Sequence, residues 1–167
     1  IHQHLKSNNI ELYLNDAVKE FSSADGKIEA VLNSGRRVSS DMVILSIGIR
    51  PETALAKEAG LKIGGLGGIK VNGRLETSDP DIYALGDATE INEIVSGSCS
   101  LIPLANSANK QGRIVADNIA GKTQEYKGTP GTAIAKVFDI TVAITGLSEK
   151  ALKKKGIEYS KAYLQPS

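Results

Sequence analysis

The sequence has 167 residues, of which 41% are hydrophobic and 23% charged, and its formal net charge is +1. This is the composition of an ordinary globular chain, with room for one substantial core or for parts of several smaller ones. The near-zero net charge gives no strong field for nucleic acid or a membrane surface, and aromatic residues at 4% give no stacking platform for single-stranded nucleic acid. The longest apolar run is too short to span a bilayer.

Cys99 is the only cysteine, so this sequence holds neither an internal disulfide nor a CxxC redox pair. A single cysteine without a signal-like start indicates a reducing, cytoplasmic location. The sequence starts at Ile1 inside a helical pattern, and it stops after Ser167 without an element to close the fold. We therefore expect it to be an internal piece of a longer protein.

The first fifty residues are predicted to be mainly extended. Asp25 and Gly26 form a turn signal that favours a hairpin. The run at residues 42–47 is apolar throughout, which is typical of a strand buried on both faces, and Pro51 prevents its continuation. The predicted elements are the end of a helix at residues 1–9 and strands at residues 10–14, 27–32, 36–38 and 42–47.

The remaining residues are predicted to alternate helices with short strands. The longest helix ends at Gly121, and a shorter basic helix is capped by Ser148 and closed by Gly156. The predicted helices cover residues 52–59, 104–120 and 149–155. The predicted strands cover residues 69–71, 82–85, 133–137, 140–145 and 157–164, with a turn at residues 64–68 and a loop at residues 92–100.

The strongest functional signal lies in residues 76–87. Pro80 sets a turn into a short apolar strand, which would deliver Gly86 and Asp87 at its carboxyl end, where open α/β sheets bind ligands. Gly86 lets a ligand approach the backbone, and the Asp87 carboxylate can accept hydrogen bonds from sugar-like hydroxyls. A lone Gly-Asp pair after a strand is commonly an exposed turn, but the full spacing from Thr77 to Asp87 favours a ligand site.

This segment resembles the second flavin-binding motif of the pyridine-nucleotide–disulfide oxidoreductases, whose aspartate binds the ribityl chain of FAD. Residues 44–51 are similar to the apolar strand and Gly-x-x-Pro that mark the return from the NAD(P)H domain to the FAD domain in that family. The resemblance covers essentially the whole sequence and implies an α/β fold with two dinucleotide-binding domains. It makes residues 1–49 the C-terminal part of the NAD(P)H-binding domain, residues 50–122 the second FAD segment, and residues 123–167 the start of an α+β interface domain of a homodimer.

Residues 101–113 look most like the single-cysteine branch of the family, and residues 136–139 and 145–150 are similar to its coenzyme A-linked members. That resemblance implies an FAD enzyme that passes a hydride from NAD(P)H through flavin to one cysteine. The cysteine would then reduce a coenzyme A disulfide, a persulfide or a polysulfide. The alternatives are an NADH oxidase or peroxidase of the same family, and a non-catalytic module that binds no flavin and self-associates through residues 123–167.

The longest helix carries a ridge of small residues, Ala105, Ala108, Gly112 and Ala116, which permits close approach of a neighbour. Its N-terminus offers free backbone N–H groups and a partial positive charge. The resemblance places that end at the flavin pyrimidine ring, whereas the ridge alone would fit tight packing of the helix on a sheet.

The resemblance also implies the individual site residues. The implied cofactor contacts are Gly48, Thr77, Gly86, Asp87, Ala88, Leu104 and Ala105. Asn109 matches a position that contacts coenzyme A, although a solvated helix asparagine fits that position equally well. We assign no catalytic residue, because the redox cysteine of the family lies in the first FAD segment and its catalytic tyrosines fall beyond Ser167.

Several other features are predicted to have no functional role. Cys99 lies in a Ser/Gly loop without a nearby histidine, and His2 and His4 have no ligand-spaced partners for a metal. The lysines at residues 150–155 fit a solvated face. The glycines at residues 64–68 do not open a helix, as a phosphate-binding loop would. Because both Gly-rich nucleotide fingerprints are missing, we expect this segment alone to retain neither FAD nor NAD(P)H and to be inactive.

Overall fold

A computed structural model describes residues 1–164 of the chain. The chain forms two compact units, one comprising Ile1–Ile49 and the other beginning at Arg50. Over the described residues, every helix is too short or too polar to cross a bilayer.

The first unit consists of one helix and one antiparallel sheet. The helix α1 (His2–Ser7) is followed by β1 (Val18–Ala24), β2 (Lys27–Leu32) and β3 (Arg37–Ser40), which pair in the order β1-β2-β3. Asp25 and Gly26 join β1 to β2 with left-handed φ angles of 50° and 75°. Positive φ angles at both central residues are typical of a type I′ hairpin turn. Because β1 and β2 pair antiparallel on either side of it, the hairpin predicted from the Asp-Gly pair is confirmed.

Two strand predictions in the first unit are wrong. Residues 10–14 form no strand, and Asn9 and Asn15, with φ angles of 60° and 58°, turn the backbone on either side of them. Residues 42–47 also form no strand, and the side chains of Ile44 and Ile47 are 82% and 88% exposed. An apolar run becomes a buried strand only when a neighbouring strand pairs with it, and none of the strands described within residues 1–164 does so.

Up to residue 164, the second unit contains three helices and five strands. The short parallel pair β4 (Ile69–Lys70) and β5 (Thr89–Glu93) continues into β6 (Ser98–Ser100), which is antiparallel to β5. The remaining elements are the helices α2 (Ala54–Glu58), α3 (Ala105–Ile119) and α4 (Glu149–Lys155) and the antiparallel hairpin of β7 (Ala133–Val137) and β8 (Ile140–Ile144). The three helices and the β7–β8 hairpin agree with the sequence prediction to within two residues at each end.

The sequence prediction misplaces the strands around residues 82–100. Residues 82–85 form only an isolated bridge, between Glu76 and Tyr83, and the strand of this segment is β5, after Gly86. The predicted loop at residues 92–100 contains the end of β5 and all of β6. Residues 157–164 form no strand either, and residues 165–167 lie outside the described residues.

The interior of the second unit is rich in polar side chains. Leu75, Ile91 and Val115 are buried, but so are Gln111 and Asn118. The side-chain amide of Asn118 donates to the backbone oxygens of Arg74 and Gln124 at 3.1 and 3.0 Å, and its Oδ1 accepts from the Gln124 N–H at 2.7 Å. Buried polar groups need such partners, so directional bonds, as well as apolar contact, hold α3 to its neighbours.

A buried carboxylate fills the glycine-rich turn at residues 64–68. Oε1 of Glu90 accepts hydrogen bonds from the N–H groups of Leu66 at 2.6 Å and Gly68 at 3.2 Å. A Cβ added at Gly64 would lie 2.1 Å from Oε2 of Glu90. The turn therefore encloses a carboxylate of its own chain.

Helix α4 is closed at both ends in the predicted manner. The Ser148 hydroxyl accepts a hydrogen bond from the Ala151 N–H at 3.2 Å, and Gly156 ends the helix with φ 66°. In the first turn, the Glu149 carboxylate lies 2.7 Å from the Lys153 ammonium and also binds Tyr159 and Lys161. The Lys153 hydrogen bond, followed by those from Tyr159 and Lys161, lowers the pKa of Glu149 to about 2.

We expect Gly64→Ala to lower the free energy of unfolding by about 2 kcal/mol, because the new methyl group would displace a carboxylate that accepts two hydrogen bonds. Gly65→Ala is the matched control, since a Cβ there meets nothing within 4 Å, and its stability should be unchanged or slightly raised. Urea unfolding of the two variants measures the difference. Equal stabilities would contradict the packing of Glu90 in this turn.

We expect Lys153→Ala to raise the pKa of the Glu149 carboxyl from about 2 toward its ordinary value. Because folding lowers this pKa, the stabilisation is present above the unfolded value of about 4.5 and is lost as pH falls through the folded value. An NMR titration of the carboxyl carbon measures the shift. Lys154→Ala is the control, because Lys154 is exposed and has the same charge, and an equal shift in this variant would contradict a specific pair.

Candidate functional site

The turn at residues 86–88, here called the Gly86 turn, is held on both sides by hydrogen bonds that the Gly86 backbone makes to other residues. Gly86 has φ 85°, a left-handed conformation that favours glycine. Its N–H donates to Oε1 of Gln111 on α3 at 2.7 Å, and its carbonyl oxygen accepts from the N–H and the hydroxyl of Thr89. The turn is thus attached to a helix at its start and to β5 at its end.

The Asp87 side chain is exposed, while Ala88 beside it is half-buried. The Ala88 carbonyl oxygen accepts a hydrogen bond from the Ile69 N–H at 2.7 Å, where the pairing of β4 with β5 begins. The backbone on both sides of Asp87 is therefore fixed, and its carboxylate is accessible to a ligand. An ionised carboxylate only accepts hydrogen bonds, so its natural partners are hydroxyl groups or cations.

A chain of buried and partly buried hydrogen bonds extends from the Gly86 turn through α3. The side chain of Gln111 is 1% exposed, and its Nε2 donates to the Ser107 hydroxyl at 3.3 Å. The Ser107 hydroxyl lies 2.5 Å from the hydroxyl of Tyr126. The backbone N–H of Tyr126 in turn donates to the carbonyl oxygen of Gly73 at 2.8 Å. This network connects the turn to two further segments of the second unit.

The N-terminus of α3 lies at Leu104 and Ala105, and the Leu104 N–H donates to the Ile102 carbonyl oxygen at 2.9 Å. Leu104 is the N-cap in an extended conformation, and its carbonyl oxygen accepts from the N–H groups of Ser107 and Ala108. Among the described residues, no side chain caps this end and no acidic residue lies in the first turn. Leu104 lies seven residues before Gln111, which is about 10 Å along one side of an α-helix.

The small-residue ridge of α3 is not its buried face. The buried residues of the helix are Ser107, Gln111, Val115 and Asn118, whereas Ala105 and Ala116 are exposed. The interpretation that the ridge packs tightly on a sheet of this unit is therefore wrong. The ridge does approach the Gly86 turn, because a Cβ at Gly86 would lie 3.9 Å from Cβ of Ala108.

The other predicted contacts are residues outside the Gly86 turn. The Thr77 hydroxyl donates to the Asp79 carbonyl oxygen and accepts from its N–H, both at 3.1 Å, so it stabilises the turn before Pro80. Asn109 is exposed on α3. Gly48 has φ 99° and belongs to the first unit, which is separate from the unit that contains Asp87.

Sequence reasoning missed the buried polar residues Ser107 and Gln111 and the half-buried Tyr126. The signal that could have found two of them is the stripe Ser107, Gln111 and Asn118, whose spacings of four and seven residues place three polar side chains on one face of α3. Cys99 was expected in a loop but lies on β6, where it is exposed. Within residues 1–164, no group of three or more His, Cys, Asp or Glu side chains is arranged to hold a metal ion.

Comparisons with known proteins are consistent with each other. The chain is 38% identical over 139 residues to the "NAD(P)H sulfur oxidoreductase (CoA-dependent)" of Pyrococcus furiosus, which covers 83% of this chain and 31% of that protein. It is 34% identical over 157 residues to an "NADH oxidase" of Methanocaldococcus jannaschii, with 94% and 35% covered. The crystal structure of reduced CoADR-RHD from Bacillus anthracis is 49% identical with a TM-score of 0.89, over 95% of this chain and 28% of that one.

The chain spans about a third of the length of the curated relatives that it matches. Its mixed α/β fold matches segments of flavoproteins with two dinucleotide-binding domains. The family model described as "Pyridine nucleotide-disulphide oxidoreductase" matches residues 1–112. On this match, which covers more than half of its residues, the chain belongs to the pyridine nucleotide–disulphide oxidoreductase family.

Proposed function

We propose that this chain is a segment of an FAD-dependent NAD(P)H:disulfide oxidoreductase and that the Gly86 turn holds the ribityl chain of the flavin. One observation carries the proposal. The exposed Asp87 carboxylate follows a glycine in left-handed conformation whose N–H is bonded to the buried amide of Gln111. An acceptor held in fixed position next to a residue without a side chain suits a flexible polyhydroxyl ligand.

The residues of the turn and of α3 fit the polar parts of FAD. Asp87 would accept hydrogen bonds from the ribityl hydroxyls, while Gly86 and Ala88 leave room for the chain to pass close to the backbone. The Ala105 N–H would donate to the pyrimidine edge of the ring, where the positive end of α3 favours negative charge. The Leu104 N–H would do the same only after leaving the Ile102 carbonyl oxygen, to which it donates at 2.9 Å. Thr77 supports the segment through its turn with Asp79, and Gly48 remains a predicted cofactor contact.

When bound, FAD would accept a hydride from NAD(P)H and deliver two electrons to a disulfide through a cysteine. The residues of this chain would bind and orient the flavin, and none of them is proposed to take part in a covalent step. The segment would therefore position the flavin and tune its electronic properties, and the reactive cysteine would lie elsewhere in the protein.

We infer that the electron acceptor is a coenzyme A disulfide, persulfide or polysulfide. Support comes from the similarity to a relative named "NAD(P)H sulfur oxidoreductase (CoA-dependent)". Asn109, exposed on α3, is the proposed coenzyme A contact. The second candidate is an NADH oxidase, supported by the similarity to the archaeal protein of that name. Rates with coenzyme A disulfide, oxygen and peroxide in the whole enzyme would separate the two.

The proposed division of the chain follows from the same assignment. Residues 1–49 would close the NAD(P)H domain, residues 50–122 would supply the second FAD segment, and residues 123–167 would open the interface domain of a homodimer. The separation of the two units at Ile49 and Arg50 supports the first of these boundaries.

We expect Asp87→Ala in the whole protein to weaken FAD binding by about tenfold to a hundredfold, because hydrogen bonds to a charged acceptor are lost. Asp81→Ala is the matched control, since Asp81 is an exposed carboxylate of the same segment with no proposed ligand role. Titration of the apoprotein with FAD, followed by flavin fluorescence, measures both affinities.

Unchanged FAD affinity in Asp87→Ala would refute the proposed site.

The isolated segment is expected to show no flavin absorbance after purification, because it lacks both Gly-rich nucleotide fingerprints. Absorbance at one flavin per chain would contradict that expectation and would also reject the alternative of a flavin-free module.

A further inference from the structure

We propose that Gln111 is a positioning residue that sets flavin affinity by fixing the Gly86 turn, an inference that rests on the proposed function. Its side chain is 1% exposed and does not reach solvent for its hydrogen bonds. Its Oε1 accepts from the Gly86 N–H at 2.7 Å across 25 positions of sequence. Gln111 would therefore act on the flavin through the backbone of the turn that presents Asp87.

The turn needs this bond because the segment before it has little ladder pairing. Residues 82–85 form a single bridge, between Tyr83 and Glu76, in place of a strand. After Gly86, Ala88 and Thr89 enter the pairing of β5 with β4. The N–H of Gly86 is thus the point at which a side chain, in place of a neighbouring strand, holds the backbone.

Both halves of the Gln111 amide are committed, which fixes its orientation. Oε1 faces the Gly86 N–H, and Nε2 donates to the Ser107 hydroxyl, which lies against the Tyr126 hydroxyl. A flipped amide would place its NH₂ group against the N–H of Gly86, donor against donor. Ser107 and Tyr126 therefore hold the acceptor of Gln111 on the turn.

Asn118 provides the comparison that separates positioning from simple stability. It is a buried amide on the same face of α3, 5% exposed, and its side chain bonds the backbones of Arg74 and Gln124. Its side chain makes three hydrogen bonds, against two for Gln111, and none of them reaches the Gly86 turn. Loss of either amide should destabilise the fold, and only loss of Gln111 should release the turn.

The experiment uses the whole protein with Gln111→Met, Gln111→Glu and Asn118→Leu. FAD affinity is measured by fluorescence titration of the apoprotein, and the melting temperature is measured without flavin. Gln111→Met should bind FAD about tenfold more weakly, because the Gly86 N–H loses its acceptor. Asn118→Leu should melt at a lower temperature, because its buried hydrogen bonds are lost. It should bind FAD within about twofold of the wild type, because none of those bonds holds the Gly86 turn.

Gln111→Glu tests the chemistry of the contact. Burial raises the pKa of a carboxyl group, so this side chain should be neutral and should still accept from Gly86 and donate to Ser107. Its FAD affinity should lie within about threefold of the wild type. In a double-mutant cycle, Gln111→Met should add less to Asp87→Ala than it costs alone, because it acts through the same turn.

Each of four results would overturn the proposal. Gln111→Met could bind FAD with wild-type affinity, Asn118→Leu could lose as much affinity as Gln111→Met, Gln111→Glu could fail to retain binding, or the effects in the cycle could be additive.

If Gln111→Met is not recovered folded, Ser107→Ala takes its place, since it removes the partner of Nε2. A loss of several-fold supports the proposal and unchanged affinity overturns it. If Asp87→Ala itself leaves FAD binding unchanged, the proposed function fails, whereas normal binding in Gln111→Met alone rejects only the positioning role.

Discussion

The hydrogen bond between the Gly86 N–H and the buried amide of Gln111 is the constraint on which the candidate site depends. The turn carries the exposed carboxylate, and the helix carries the positive N-terminus, so this bond joins the two parts of the site that would meet one ligand. A neutral hydrogen bond contributes only about 1 kcal/mol, yet leaving its buried partner unsatisfied costs more. The bond therefore specifies an arrangement more than it adds stability.

The same logic applies to the interior of the second unit as a whole. Gln111, Asn118 and Glu90 are buried with partners at defined distances, and each joins segments far apart in sequence. Apolar contact alone would allow such segments to slide, because it has no direction. Meanwhile Ile44 and Ile47 of the first unit are largely exposed, so the apolar residues of this chain are a poor guide to its described core.

The features that the sequence predicts correctly depend on interactions between residues close in sequence, and the features that it misses depend on distant ones. Helices α3 and α4 and the hairpin turn at Asp25 and Gly26 follow from capping, periodicity and turn chemistry within a few residues. The strands predicted at residues 42–47 and 82–85 failed because a strand needs a partner that local patterns do not identify. The Gly-Asp signal located the candidate turn correctly as a turn, but Gln111 lies 25 residues away, and no local rule connects it to Gly86.

The packing of Glu90 into the turn at residues 64–68 limits which substitutions this sequence can accept at the two positions. Gly64 and the Glu90 carboxylate share one volume, so the two positions are expected to covary among descendants of this chain. A side chain at position 64 should cost less when a shorter residue occupies position 90, which would leave the N–H groups of Leu66 and Gly68 to a water molecule. The absence of a side chain at position 64 thus reflects the length of the Glu90 side chain.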